Sequence, residues 1–203
     1  MILALLLLAA TPQDPPAYIP PDCSYDLDEM LSLDRQAFDQ DETGGWRPLS
    51  DAGCHAEAAE LIREWRHEKR DHKQILYWHE GQMRAFAGQT EDAVALMALT
   101  YKTEDLNSAF GWNYYADGTI AFLTRDREGL ALAMERLAAL PVPDDLKATA
   151  ADGSTAAMDW PPNMHVLQAL ERCWDLPYAE VYMSYPCFGL EEPEEEDLLS
   201  DAP

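Results

Sequence analysis

The residues best suited to chemistry in this chain are five histidines and a large stock of carboxylates. The stretch WHEGQMRAFAGQTEDAV sets His79 beside Glu80 on a predicted helix. A helical zinc site needs two histidines four residues apart, so that both rings leave one face toward the metal. His67 and His72 are five apart, which turns them roughly 140° from each other at 3.6 residues per turn. His79 has Met83 where its partner should stand. A composite site would need His67, His72 and His79 to converge from separate segments. The spacing instead reads His79-Glu80 as polar helix surface.

The segment DQDETG resembles the start of a calcium loop, with Asp39, Asp41 and Thr43 alternating ahead of Gly44. The acid that should close such a loop falls at Ser50, with Asp51 one place late, so the cation would lose its strongest ligand. A helix end running into a glycine turn accounts for the same residues. Asp117, an acid beside Tyr114, Tyr115 and Gly118 in an apolar helix, is a candidate for a buried, perturbed carboxyl. Glu91-Asp92 sit where a helix begins and favour its dipole. No GxSxG, GxxxxGK[ST] or GxGxxG is present. We expect no metal, no cofactor and no catalytic residue that motifs could reveal.

A net charge of −24 over 203 residues argues against nucleic acid and against anionic lipid surfaces. Five of the fourteen bases crowd between Arg63 and Lys73, where helical i,i+4 partners such as Glu64 explain them. The apolar run Ile2 to Ala10 spans about nine residues, against the roughly 20 that a bilayer requires. It suits the core of a secretory signal cleaved near Ala10, although no Lys or Arg precedes it. The expectation is a periplasmic or secreted protein without stable membrane insertion. In an oxidising compartment Cys23, Cys54, Cys173 and Cys187 allow three pairings. Sequence proximity favours Cys173 with Cys187, leaving Cys23 for Cys54.

The elements that must position these residues are predicted to be helices. Residues 1–22 hold the signal and the proline-rich linker TPQDPPAYIPPD. Periodicity begins near Leu27 in LDEMLSLDRQAFDQ, and DETGGWRPLSDAG breaks it. HAEAAELIREWRHEK, KQILYWHEGQMRAFAG, TEDAVALMALTYK, SAFGWNYYADGTIAFLTRD and REGLALAMERLAAL follow, amphipathic and joined by very short turns. An offset of 37 residues matches Tyr77 with Tyr114, Trp78 with Tyr115, Gly81 with Gly118, Glu91 with Glu128 and Met97 with Met134.

These residues resemble the tetratricopeptide repeat. That family places an aromatic early in its first helix, a small residue one turn on, Gly at the turn and Ala in the second helix. Tyr77, Gly81, Gly88 and Ala93 match that pattern, and a side chain at Gly81 or Ala93 would push the paired helices apart. The second copy keeps Tyr114 and Gly118 but has Arg125 and Leu130 at the other two positions. A third, degenerate copy ends at Gly53 and Ala58, its first helix interrupted by Pro48, so the resemblance covers residues 45–141. The chain also resembles exported bacterial proteins that carry the blocks FDQD…GGWRPL, WHEGQ and WPPN, a resemblance that implies no activity.

The fold class expected is all-α, with antiparallel helix-hairpin repeats over 23–143. Residues 144–188 would add a small β-hairpin around Asp152-Gly153 and capping helices, one of them N-capped by Asn163. An acidic tail, 189–203, would follow. The repeat resemblance implies a concave groove lined by Ile75, Trp78, Gln82, Ala85, Trp112, Tyr115 and Thr119. Trp and Tyr anchor peptides well because they bring large area with few rotors to freeze. The function expected is non-catalytic binding of a protein or peptide partner. The alternative is an envelope enzyme, a hydrolase, with a composite His/Asp site.

Overall fold

A computed structural model of the chain describes residues 20–104, 107, 110–143, 147–149, 155–157 and 159–191. The signal-like run, the Asp152-Gly153 turn and most of the acidic tail lie outside them. The protein is mainly helical, as the periodicity predicts. The helices are α1 (Leu27–Ser32), α2 (Arg47–Asp51), α3 (His55–Lys69), α4 (Gln74–Phe86), α5 (Thr90–Ala98), α6 (Trp112–Leu123), α7 (Arg127–Ala138), α8 (Met164–Arg172) and α9 (Tyr178–Met183). A π-helical turn spans Gln36–Gln40 and a 3-10 turn spans Tyr185–Phe188. Two short strands, β1 (Lys147–Thr149) and β2 (Thr155–Ala157), pair antiparallel with Lys147 opposite Ala157.

α1 and α2 pack on α3, and from α3 onward consecutive helices pack on one another. Those of the pairs α4/α5 and α6/α7 are joined by three residues each. At Gly81 a Cβ would lie 3.3 Å from the Ala93 carbonyl oxygen and 3.1 Å from the Met97 side chain. The backbones of α4 and α5 therefore approach as closely as the missing side chain permits. At Gly118 in α6 a Cβ would lie 2.7 Å from the Leu167 side chain of α8 and 3.4 Å from Ala133 of α7. Helix ends are explained locally. Asp126 caps α7 by accepting from the Gly129 N–H at 2.9 Å, and acids occupy the first turn of α5. Arg70 and Arg125 adopt left-handed conformations, φ 52° and 61°, at turns where glycine is the cheaper residue.

Two buried clusters share α4 as their common wall. One gathers Phe38, Trp46, Leu49, Leu61, Ile62, Trp65 and Leu76; the other gathers Trp78, Met97, Tyr115, Phe122, Leu137, Leu167 and Val181. Leu76 and Met83 of α4 serve the first, Trp78 and Ala85 the second. Disulfides Cys23–Cys54 and Cys173–Cys187 staple the two ends of this arrangement, with Cα atoms 5.5 and 5.6 Å apart. Such pairs fit a protein matured in an oxidising compartment. No helix among the described residues is long and apolar enough to cross a membrane.

Three local expectations change. The periodic stretch from Leu27 to Gln40 divides into α1 and the π turn around Leu33. Pro48 lies inside α2, in the first turn, where its missing N–H has no helical partner to lose. Asn163 precedes α8 in a left-handed conformation, and its side chain makes no capping bond.

Candidate functional site

The chemistry nearest to a site is built on Asp39. The π turn carries this residue inward, and its side chain is wholly buried. Gly45 fixes the return of the chain: its φ is +58°, and a Cβ there would lie 1.9 Å from the Phe38 carbonyl oxygen. Trp46 can then donate its indole N–H to Asp39 Oδ1 at 3.2 Å, while Gln40 donates to Oδ2 at 2.6 Å. His79 Nδ1 lies 2.6 Å from the same Oδ1, and the Trp46 ring flanks the imidazole at 5.2 Å. Arg47 donates to the Asp39 backbone carbonyl. Three separated blocks, FDQD, GGWR and WHEGQ, thus meet at one point.

Burial alone would raise the Asp39 carboxyl. The hydrogen bond and charge of His79, joined by the bonds from Gln40 and Trp46, outweigh burial and hold it below the ordinary carboxylate range. When His79 Nδ1–H donates to Asp39, Nε2 is left as the free nitrogen of a ring that keeps 15% of its side-chain surface exposed. That is the orientation of a general base.

Polar helix surface is therefore the wrong description of His79-Glu80. Glu80 is buried between α3 and α4, bound by Arg66 and 3.7 Å from Arg84. Arg84 also reaches Glu60 at 2.5 Å and Gln89 at 2.7 Å. Arg66 completes the arrangement by lying 4.0 Å over the Tyr77 ring. Arg66 pairs with the buried Glu80 and Arg84 chiefly with the half-exposed Glu60, because neither guanidinium could stay charged alone in the interior.

The predicted groove is filled. Trp78 and Tyr115 keep only 3% and 5% of their surface, and Ala85 and Thr119 are buried as well. Ile75, Gln82 and Trp112 are half-buried beside them. Trp78 and Tyr115 rings sit 5.0 Å apart, and Trp112 lies 4.9 Å from Trp78. Over Tyr115 lies α9. Tyr182 meets the Tyr115 hydroxyl at 3.3 Å and the Tyr178 hydroxyl at 3.2 Å. Burial pushes all three phenols above their ordinary value. The aromatics fill space between helices and do not line an open surface.

The other candidates disperse. Asp41 Oδ1 accepts from the Thr43 N–H and hydroxyl, at 2.9 and 3.0 Å, while Asp39 faces His79, so the two acids do not converge on a cation. Asp117 accepts from the Tyr101 hydroxyl at 2.6 Å. His72 Nδ1 lies 3.1 Å from the Tyr77 hydroxyl with its ring beside His67, while His79 is held by Asp39. Among the described residues, Cys23, Cys54 and Glu57 are close enough together to hold a metal. The two sulfurs are bonded to each other, which removes the thiolates such a site would need.

One surface stands out. Met183 is 81% exposed, Leu190 58% and Tyr185 48%. With Tyr182, Ser184 and Phe188 they line a hollow of about 360 Å³. Cys187 is bonded to Cys173 and its carbonyl accepts from Arg172, so α8 anchors the segment that carries the hollow. No sequence signal beyond the apolar character of YMSYPCFGL marked it, because exposure depends on how the disulfide folds that segment back.

No protein-family model, curated protein or solved structure matches the chain.

Proposed function

We propose that the protein is an exported, non-catalytic scaffold of tetratricopeptide-like helix hairpins that binds a protein or peptide partner in the periplasm or outside the cell. The observation that carries this reading is the exposed apolar platform of Met183, Tyr185 and Leu190 on a disulfide-anchored segment. Large apolar side chains grouped at a surface mark contact sites when the backbone beneath them is held rigid. The paired contacts at Gly81 and Gly118, 37 residues apart, support the repeat arrangement. The buried Trp78 and Tyr115 then serve the scaffold, and the partner is met at the other end of α9.

A photoreactive amino acid placed at Met183, and separately at the exposed Arg63 of α3, tests the reading in intact cells. A discrete adduct at Met183 and none at Arg63 is expected. No adduct at Met183, or the same adducts at both positions, would overturn it.

A second reading, an envelope hydrolase, is favoured by the Asp39–His79 pair alone. In it His79 Nε2 takes a proton from water as general base, with Asp39 holding the ring. Turnover of chromogenic esters or phosphodiesters that His79→Gln abolishes without loss of helicity would support it. Equal rates in both proteins, or no turnover, would remove it.

A further inference from the structure

We propose that the partner segment seated on the Met183 platform is a basic, amphipathic peptide stretch. This inference rests on the docking reading above and adds the chemistry of what docks. The hollow itself asks for apolar groups: its lining is Tyr182, Met183, Tyr185, Phe188 and Leu190, with Ser184 the one polar member. An engineered apolar cavity of about 150 Å³ takes a benzene. At about 360 Å³ this hollow seats roughly two large side chains, as one face of an amphipathic segment presents them. Met183 suits such contacts, since an unbranched thioether adapts to differently shaped partners.

The charge of the chain that carries the hollow, counted along the sequence, sets the rest. Arg172 is the last base of the sequence, and it is engaged with the Cys187 carbonyl. From Cys173 to Pro203 there is no Lys or Arg, while nine acids occur: Asp175, Glu180, Glu191, Glu192, Glu194, Glu195, Glu196, Asp197 and Asp201. Glu180 and Glu191 are exposed at the two ends of the lining segment. A partner that brings acids into this field pays repulsion at short range, whereas Lys and Arg flanking an apolar face gain attraction and faster encounter. Apolar side chains supply the seat, and positive charge supplies the selectivity.

The test uses the full, oxidised chain and three labelled peptides of equal length: an amphipathic Lys/Leu helix, its Glu/Leu counterpart, and a scramble of the Lys/Leu composition. Fluorescence anisotropy should show the Lys/Leu peptide binding at least tenfold more tightly than either of the others. Its affinity should fall severalfold between low and physiological salt. Met183→Ser with Leu190→Ser should weaken it at least tenfold, and truncation after Glu191 should weaken it severalfold. Equal binding of the Glu/Leu peptide or of the scramble, or no binding of any peptide, would overturn the inference. So would an unaffected double variant, or tighter binding after truncation, which would place the chain's own tail on the platform. A Met183 adduct in cells to a partner without a basic segment would defeat this inference and leave docking intact; the absence of any adduct would defeat docking itself.

Discussion

His79 Nδ1 and Asp39 Oδ1 lie 2.6 Å apart across forty residues of sequence, and this contact ties the π turn to α4. The carboxylate is fully buried and its donors are His79, Trp46 and Gln40. Asp39→Asn removes the charge that the three donors share and puts an NH2 group where a donor already points, and is expected to cost about 2 kcal/mol at neutral pH. Because the folded carboxyl is held below the ordinary value of about 3.9, its contribution is fully present above that pH. It is lost as pH falls from there through the folded value. Urea midpoints at pH 7 and pH 3 should therefore show the gap between parent and variant narrowing in acid. A gap independent of pH would contradict this.

Gly45 and Gly88 both have positive φ, +58° and +73°, yet their surroundings differ. A Cβ at Gly88 meets nothing within 4 Å, so Gly88→Ala should cost only the left-handed penalty, about 1 kcal/mol. At Gly45 the Cβ collides with the Phe38 backbone, and Gly45→Ala should cost well over about 2 kcal/mol while displacing Asp39 from His79. Thermal melts of the two variants separate the cases. Equal melting temperatures would show that the turn does not set the buried acid.

The helical frame was legible in the sequence because its signals are local. Periodicity marked α3 to α7, and chain proximity paired the cysteines as they are found. The sites were not legible because they depend on distant closures. Nothing near His79 announces Asp39, which reaches it only after the π turn and Gly45 redirect the chain. Tyr115 looks like a groove residue until α9, more than sixty residues further on, brings the Tyr182 hydroxyl within 3.3 Å of its own, and Trp78 until its ring packs on Trp112 and Tyr115.

At Gly81 a methyl group would lie 3.1 Å from the movable Met97 side chain and 3.3 Å from the Ala93 carbonyl oxygen, so it is tight but short, whereas a longer side chain would have to drive into α5. Gly81→Ala should be close to neutral, since a helix-propensity gain of about 1 kcal/mol offsets the crowding. Gly81→Leu should lose about 3 kcal/mol by forcing α4 from α5. Denaturation midpoints measure both. A tolerated leucine would contradict the close approach on which the hairpin rests.

The phenols of Tyr115, Tyr178 and Tyr182 are all raised by burial, so the folded protein keeps them protonated where the unfolded chain ionises. Stability should fall as pH rises past about 10, the unfolded phenol value. Ultraviolet titration should show these three silent until the helices melt, with Tyr101, raised by burial and its bond to Asp117, a fourth late phenol among the nine tyrosines. Nine phenols titrating together below the melting point would contradict the buried cluster.

The docking account is tested most directly by the oxidation rate of Met183. At 81% exposure the free thioether should oxidise quickly in purified protein, well ahead of the buried Met83 and Met97. In cells given the same brief peroxide dose, mass spectrometry should find Met183 sulfoxide forming severalfold more slowly, because a partner covers the platform. Equal rates in the two settings would mean that the platform stands bare where the protein works, and the account would fail.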